Sequence, residues 1–365
     1  MTTGLVWDER FGWYDAGLAS TSAWAEPYPA LDRPEIKRRL WSLLQASGLG
    51  QRLMPIAARP AAPEELMYFH SPEYVERVRR LAEAGGGEAG ENAPVGRNGF
   101  EIARLAAGGC IAAVDAVLER RVDNAYALVR PSGHHAERDR GRGFCIFANV
   151  VLAVERARRA HGLMRVAVID WDVHHGNGTQ QAYYVDPAVL TISLHQEGYY
   201  PADSGGWTEA GAGAGCGTNI NIPLPPGSGD GAYRAAFERI VAPAVVDFRP
   251  ELIVVASGYD AAASDPLGRM LCHSGTYRAM AASVLELART LCDGRLVVCQ
   301  EGGYSPTYVP FCGLAVLEVL SGETTPVIDP LLDWYASLGG QSLQPHQEQI
   351  IDTIARARSA PSAAR

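Results

Sequence analysis

The chain has 365 residues, 47% of them hydrophobic and 20% charged, with a formal net charge of −9. That much apolar material excludes disorder as the main state, and the acidic balance excludes broad attraction to nucleic acid or an anionic membrane. Seven scattered cysteines without a C-x-x-C pair fit a reducing compartment; with no span-length apolar stretch and no leader pattern at the start, a cytoplasmic location is expected.

In chain order, a glycine-rich stretch at 84–99 is a candidate rim or lid loop, and 101–121 carries a helical pattern. The apolar run at 125–129 reads as a buried strand ending in R-P-S-G-H-H. A helix is predicted over 147–161, with Arg156, Arg158 and Arg159 on its solvated face. A strand at 166–169 stops at D-W-D-V-H-H-G-N-G, and another at 189–194 precedes His195. A second glycine-rich rim candidate spans 205–217, followed by a helix over 233–246 and a strand at 252–256 before S-G-Y-D. A helix over 276–291 leads to a strand at 296–299 before Q-E-G-G-Y, and residues 359–365 read as a disordered end. This alternation predicts one α/β domain over 1–365, with a mainly parallel central sheet, helices on both faces, and loops delivered to one shared sheet edge. Cys145 and Cys299, inside apolar runs, read as small core residues.

The segment after residue 169 carries the strongest chemical signal. Asp172 and His174 are two apart, so on an extended backbone their side chains leave one face and can meet one cation; Asp170 shares that parity. Isolated, each reads as a cap or satisfied polar group, but three ionisable residues in five positions of an apolar segment are costly unless paired or bound to metal. A hydrolytic zinc site needs a third protein ligand, for which Asp260 at another strand end is the best candidate. His134 and His135 suit proton transfer. Tyr304, after Gly302 and Gly303, can bring a phenol to a developing oxyanion without side-chain crowding.

Together P-S-G-H-H at 131–135, G-F-C-I-F-A-N at 143–149, D-W-D-V-H-H-G-N-G-T-Q at 170–180, S-G-Y-D-A at 257–261 and E-G-G-Y at 301–304 resemble the histone deacetylase family. The similarity is to its bacterial class II-like amidohydrolases and covers about residues 33–322. The resemblance implies an arginase/deacetylase-like fold and one catalytic zinc ion held by Asp172, His174 and Asp260. It assigns His135 as general base and acid, His134 as its electrostatic companion, Asp170 as the partner of His134, and Asn177 as the residue orienting His135. It further implies a potassium ion at Asp170, Asp172, His174, Ser193 and Leu194, and a second monovalent site near Tyr183, Asp186 and Val189. Gly143, Phe144 and Tyr200, together with Gly302 and Gly303, would wall a substrate tunnel, with Leu267 at its rim. Arg33 before Pro34, and Ser305-Pro306 after the tyrosine, depart from patterns of other members.

The expected reaction is removal of acetyl or related acyl groups from lysine side chains or similar amines. An acetylpolyamine amidohydrolase would share the zinc site and differ at the rim, where Glu88 and Glu91 are candidate sources of negative charge. A non-catalytic acyl-lysine binding module is a further alternative, against which Tyr304 speaks; an arginase-type dimanganese ureohydrolase would need more carboxylates than His134, His135 and Asn177 supply. Homo-oligomerisation is left open.

Overall fold

Continuous apolar runs become the centre of a sheet covered on both faces, because a parallel strand buried on both sides has no polar face to present. The computed structural model describes residues 1–16, 18–19 and 28–359. Among these, eight strands form one parallel sheet: β1 Thr3–Val6, β2 Met54–Ile56, β3 Asn124–Ala127, β4 Val166–Asp170, β5 Val189–Gln196, β6 Asn219–Leu224, β7 Leu252–Ser257 and β8 Leu296–Gln300. Their spatial order is β6-β5-β4-β7-β8-β3-β1-β2. Successive side chains alternate between two cores. Ala167, Ile169, Ile253 and Val255 enter one, and Val166, Val168, Leu252 and Val254 the other.

The first core is closed by α1 (Pro34–Ala46) together with later helices, and the second by α2 (Gly99–Leu118) and α3 (Asn149–His161). Asn177–Tyr183 forms α4, directly behind the β4 loop. The predicted helix over 233–246 is present and runs without a break over 230–248. It comprises α5 (Asp230–Ala236), a wide i→i+5 turn at Phe237–Val241, and α6 (Ala242–Phe248). Pro243 lacks an N–H and its ring would crowd the preceding turn, so the helix widens just before it while remaining continuous. On the first face follow α7 (Ser274–Cys292), α8 (Val309–Ser321) and α9 (Pro345–Ser359). Of the expected disordered end, residues 360–365 lie outside the described residues, while Ser359 ends α9.

Three strands of this eight-stranded sheet had no counterpart in the sequence reading: β1, β2 and β6. The two outermost, β2 and β6, each contain a proline (Pro55, Pro223), which only a sheet edge tolerates and which weakens the strand signal. From β4 the chain moves outward through β5 to β6, then returns to place β7 on the other side of β4. The resulting switch point lies between β4 and β7, and crevices outside the carboxyl ends of strands at such points receive ligands.

Candidate active site

Asp172 and His174 follow β4, and Asp260 follows β7, so neighbouring strands at the switch point bring three buried ligand-type side chains together. His174 Nδ1 lies 3.0 Å from Asp172 Oδ1 and 3.2 Å from Asp260 Oδ2. Four ligands about 2.0–2.1 Å from a tetrahedral zinc are about 3.3 Å apart, so this spacing fits. Asp260 Oδ2 is buried and receives no hydrogen bond despite the approach of His174, as befits two atoms converging on one cation. The other carboxylate oxygens are taken. Asp260 Oδ1 accepts from the Val173 N–H at 2.8 Å, and Asp172 Oδ2 from the Gly302 N–H at 2.8 Å. A Cβ at Gly302 would overlap both carboxylates, so this close approach requires glycine. Burial and the charge of Asp172 push Asp260 up to about 6; burial and Asp260 push Asp265 up to about 8. Crowded acids of this kind are relieved by a bound cation.

The loop after β3 carries His134 and His135, both buried, with ring centroids 3.9 Å apart. His134 Nδ1 is 2.9 Å from Asp170 Oδ2; although burial opposes its charge, Asp172 and Asp170 raise it to about 10. His135 Nδ1 is 2.8 Å from Asn177 Oδ1 at the start of α4. Burial, with the imidazoles of His134 and His174, holds His135 well below the usual histidine range. The loop is anchored by Glu301 Oε2, which accepts from the Gly133 and His134 N–H groups at 2.6 and 3.2 Å. Glu301, His134 and Cys145 form a second buried cluster of ligand-type groups. Burial raises the Cys145 thiol, whose S–H donates to the Gly143 carbonyl at 3.4 Å, so the thiolate a metal requires is disfavoured.

A cavity of about 290 Å³ opens onto this cluster. His135, His174 and Tyr304 form its floor, and Gly143, Phe144, Tyr199, Tyr200, Leu267 and Asn92 complete the lining. The structure thus brings Gly143, Phe144, Tyr200 and Leu267 of the predicted tunnel together and adds Asn92 and Tyr199, whereas Gly302 and Gly303 do not line it, Gly302 lying against the Asp172 and Asp260 carboxylates instead. Asn92 comes from the 84–99 loop, whose backbone carbonyls at Glu91 and Asn92 accept from the N–H groups of Gly143 and Phe144 at 2.9 and 2.7 Å. The 205–217 loop contributes nothing to the lining; the Gly205 carbonyl instead meets His195 Nε2 at 2.9 Å. Tyr304 is held by its N–H to Asp265 Oδ2 at 2.6 Å, and Gly303 has φ +109°, which a side chain would strain.

Asp170 and Ser193 are neighbours across β4 and β5 and border a small polar chamber with Thr179 and Asn221; Leu194 is the next residue on β5. Thr179 Oγ1 and Asn221 Oδ1 have no hydrogen-bond partner. Tyr183 and Asp186 border a separate open groove of about 720 Å³, and Val189 begins β5. There Arg158 takes the Asp186 carboxylate at 2.8 Å, and the Tyr183 hydroxyl donates to the Val151 carbonyl at 3.2 Å. Although larger, that groove has no convergent ligand set among its described residues. Asp265, Glu301 and Tyr199 were missed by sequence reasoning, although Glu301 lies inside the quoted E-G-G-Y motif.

The sequence pattern of the histone deacetylase domain matches residues 31–320. The chain belongs to the histone deacetylase family. Within that family it is 52% identical to a histone deacetylase-like amidohydrolase of Pseudomonas aeruginosa, over 91% of this chain and 89% of the relative. It is 37% identical to human polyamine deacetylase HDAC10 over 89% of this chain, but spans only 49% of that relative's length. The solved HDA15 HD domain superposes with a TM-score of 0.86 at 31% identity, covering 98% of this chain and 94% of that one. The fold is therefore the arginase/deacetylase fold, and family membership makes this a hydrolytic enzyme acting on amides. Among the described residues no helix is long and apolar enough to cross a membrane.

Proposed function

We propose that this deacetylase-family protein is a zinc-dependent amidohydrolase removing acetyl or related acyl groups from lysine side chains or similar amines. The observation carrying this reading is the convergence of Asp172, His174 and Asp260 beneath an apolar cavity whose floor also holds an imidazole and a phenol. Zinc at those three residues would supply Lewis acidity toward the amide carbonyl and lower the pKa of an attacking water. His135, neutral and fixed at Nδ1 by Asn177, takes the proton of that water at Nε2 and returns it to the leaving amine. Tyr304 donates its phenolic proton in a hydrogen bond to the oxygen where negative charge develops. His134, held at Nδ1 by Asp170, packs its ring beside that of His135. Phe144 and Tyr200 grip an extended methylene stem and exclude water from the reacting amide.

A potassium ion behind this centre belongs to the same proposal. The chamber beside Asp170 and Ser193, with two unpartnered oxygens, supports a small oxygen-ligated cation there. The second monovalent site, near Tyr183, Asp186 and Val189, is weaker because Arg158 already neutralises Asp186. Lysine is favoured over polyamine because the cavity lining contains no carboxylate.

Chelation tests the central assignment. Hydrolysis of an acetyl-lysine peptide should disappear when bound metal is removed and return on addition of one equivalent of zinc. Undiminished turnover in protein verified to be metal-free would overturn it.

A further inference from the structure

His135 serves as a base only if its proton sits on Nδ1 and the lone pair of Nε2 faces the cavity. Asn177 meets Nδ1 at 2.8 Å, but a carboxamide can present either oxygen or nitrogen. What decides is the opposite side of the amide. There the assigned Nδ2 lies 2.8 Å from Glu137 Oε1 and 3.3 Å from the His135 carbonyl. Carboxylates and carbonyls only accept, so Nδ2 must face them and Oδ1 is left facing His135. An amide oxygen also only accepts, which places the imidazole proton on Nδ1.

Glu137 is itself held by donor-only groups. Arg140 Nε lies 2.7 Å from its Oε2, and the buried guanidinium of Arg142 lies 3.1 Å from its Oε1. Arg142 also binds Glu91 and Asp203, each at 2.9 Å, and stands 5.8 Å from the centre of the Tyr200 ring. The same cation therefore ties the carboxylate behind Asn177 to the two segments that supply Asn92 and Tyr200 to the cavity lining.

We propose that Glu137 is a positioning residue for the reaction: through Asn177 it sets the tautomer of His135, and Arg142 fixes it in place. This rests on the assignment of His135 as the base. Without an acceptor at residue 137 only the longer contact to the His135 carbonyl, at 3.3 Å, still favours this direction of the Asn177 amide, and the flipped form gains population. A flipped amide presents its NH₂ to Nδ1 and stabilises the tautomer with the proton on Nε2, which cannot accept one from water.

The test uses the zinc-loaded full chain with ¹⁵N-labelled histidine, the His135 signals being assigned from their loss in His135→Asn. Nitrogen chemical shifts distinguish the two tautomers, and kcat and KM are measured on the same samples. Glu137→Gln keeps an acceptor oxygen and should retain the Nδ1–H form. Glu137→Ala should shift population to Nε2–H and lower kcat roughly tenfold to a hundredfold, the loss expected for one charge-assisted hydrogen bond, with KM little changed. In an Asn177→Ala background the same change should cost nothing further. An unshifted tautomer in Glu137→Ala, or an equal cost without Asn177, would overturn the proposal. A shifted tautomer with unchanged kcat would instead remove His135 as the base and leave the Glu137–Asn177 linkage standing.

Discussion

The Tyr304 phenol is buried, and burial together with Asp260 and Asp172 raises it well above its ordinary range, so it stays protonated and can donate at neutral pH. Tyr304→Phe keeps the ring that packs 5.8 Å from Phe144 and removes only the donor. It should lower kcat by roughly 10² to 10³ while changing KM little, as for loss of an oxyanion donor. Steady-state kinetics on a folded, zinc-loaded variant decide this; unchanged kcat would take the phenol out of the reaction. Tyr304, Asp172, His174, His134 and His135 were legible as candidates because ionisable or glycine-flanked groups at the ends of apolar strands are energetically conspicuous. Glu137 and Arg142 were not. Each reads locally as a solvated charge between arginines and glycines, and its partners at Asn177, Glu91 and Asp203 lie 40 to 61 residues away.

Among elements, the central strands were legible because burial on both faces leaves an unbroken apolar run, whereas the proline-bearing edges and short β1 gave no such signal. Contacts fixing element ends were equally silent in sequence. His70, buried between Phe69, Tyr74 and Phe147, accepts the Ala148 N–H at the start of α3 on Nε2 at 2.9 Å. Its Nδ1–H donates to the Arg138 carbonyl at 3.2 Å, so the neutral ring satisfies two segments at once. Burial pushes it down to about 4 from an ordinary 6.5. Between those values the unfolded chain binds a proton that the folded chain refuses. Stability from this group is therefore complete above about pH 6.5 and is lost as pH falls toward 4, amounting to about 3 kcal/mol. Denaturant unfolding at pH 7 and pH 5 should show a smaller pH-dependent loss for His70→Gln than for the natural chain. Equal losses would place the pH dependence elsewhere.

At the scale of the molecule, a net charge of −9 suggests that any cationic substrate would be welcomed, but the mouth does not share that bias. Glu91 and Asp203 are engaged by Arg142, and Glu88 turns back to accept the Ala93 N–H. Leu267, an apolar side chain, lines the cavity. A polyamine would thus meet only the diffuse field of distant carboxylates, which physiological salt screens over about 8 Å. The acetyl-lysine stem needs no partner for a second cation, so kcat/KM should be higher for an acetyl-lysine peptide than for acetylputrescine and nearly independent of ionic strength. Leu267→Glu should raise kcat/KM for acetylputrescine alone by about fivefold, the scale of one partly exposed ion pair. Faster turnover of acetylputrescine by the natural chain, with a steep fall on adding salt, would mean that Arg142 releases Glu91 or Asp203 when substrate arrives, and would move the enzyme to the polyamine deacetylases.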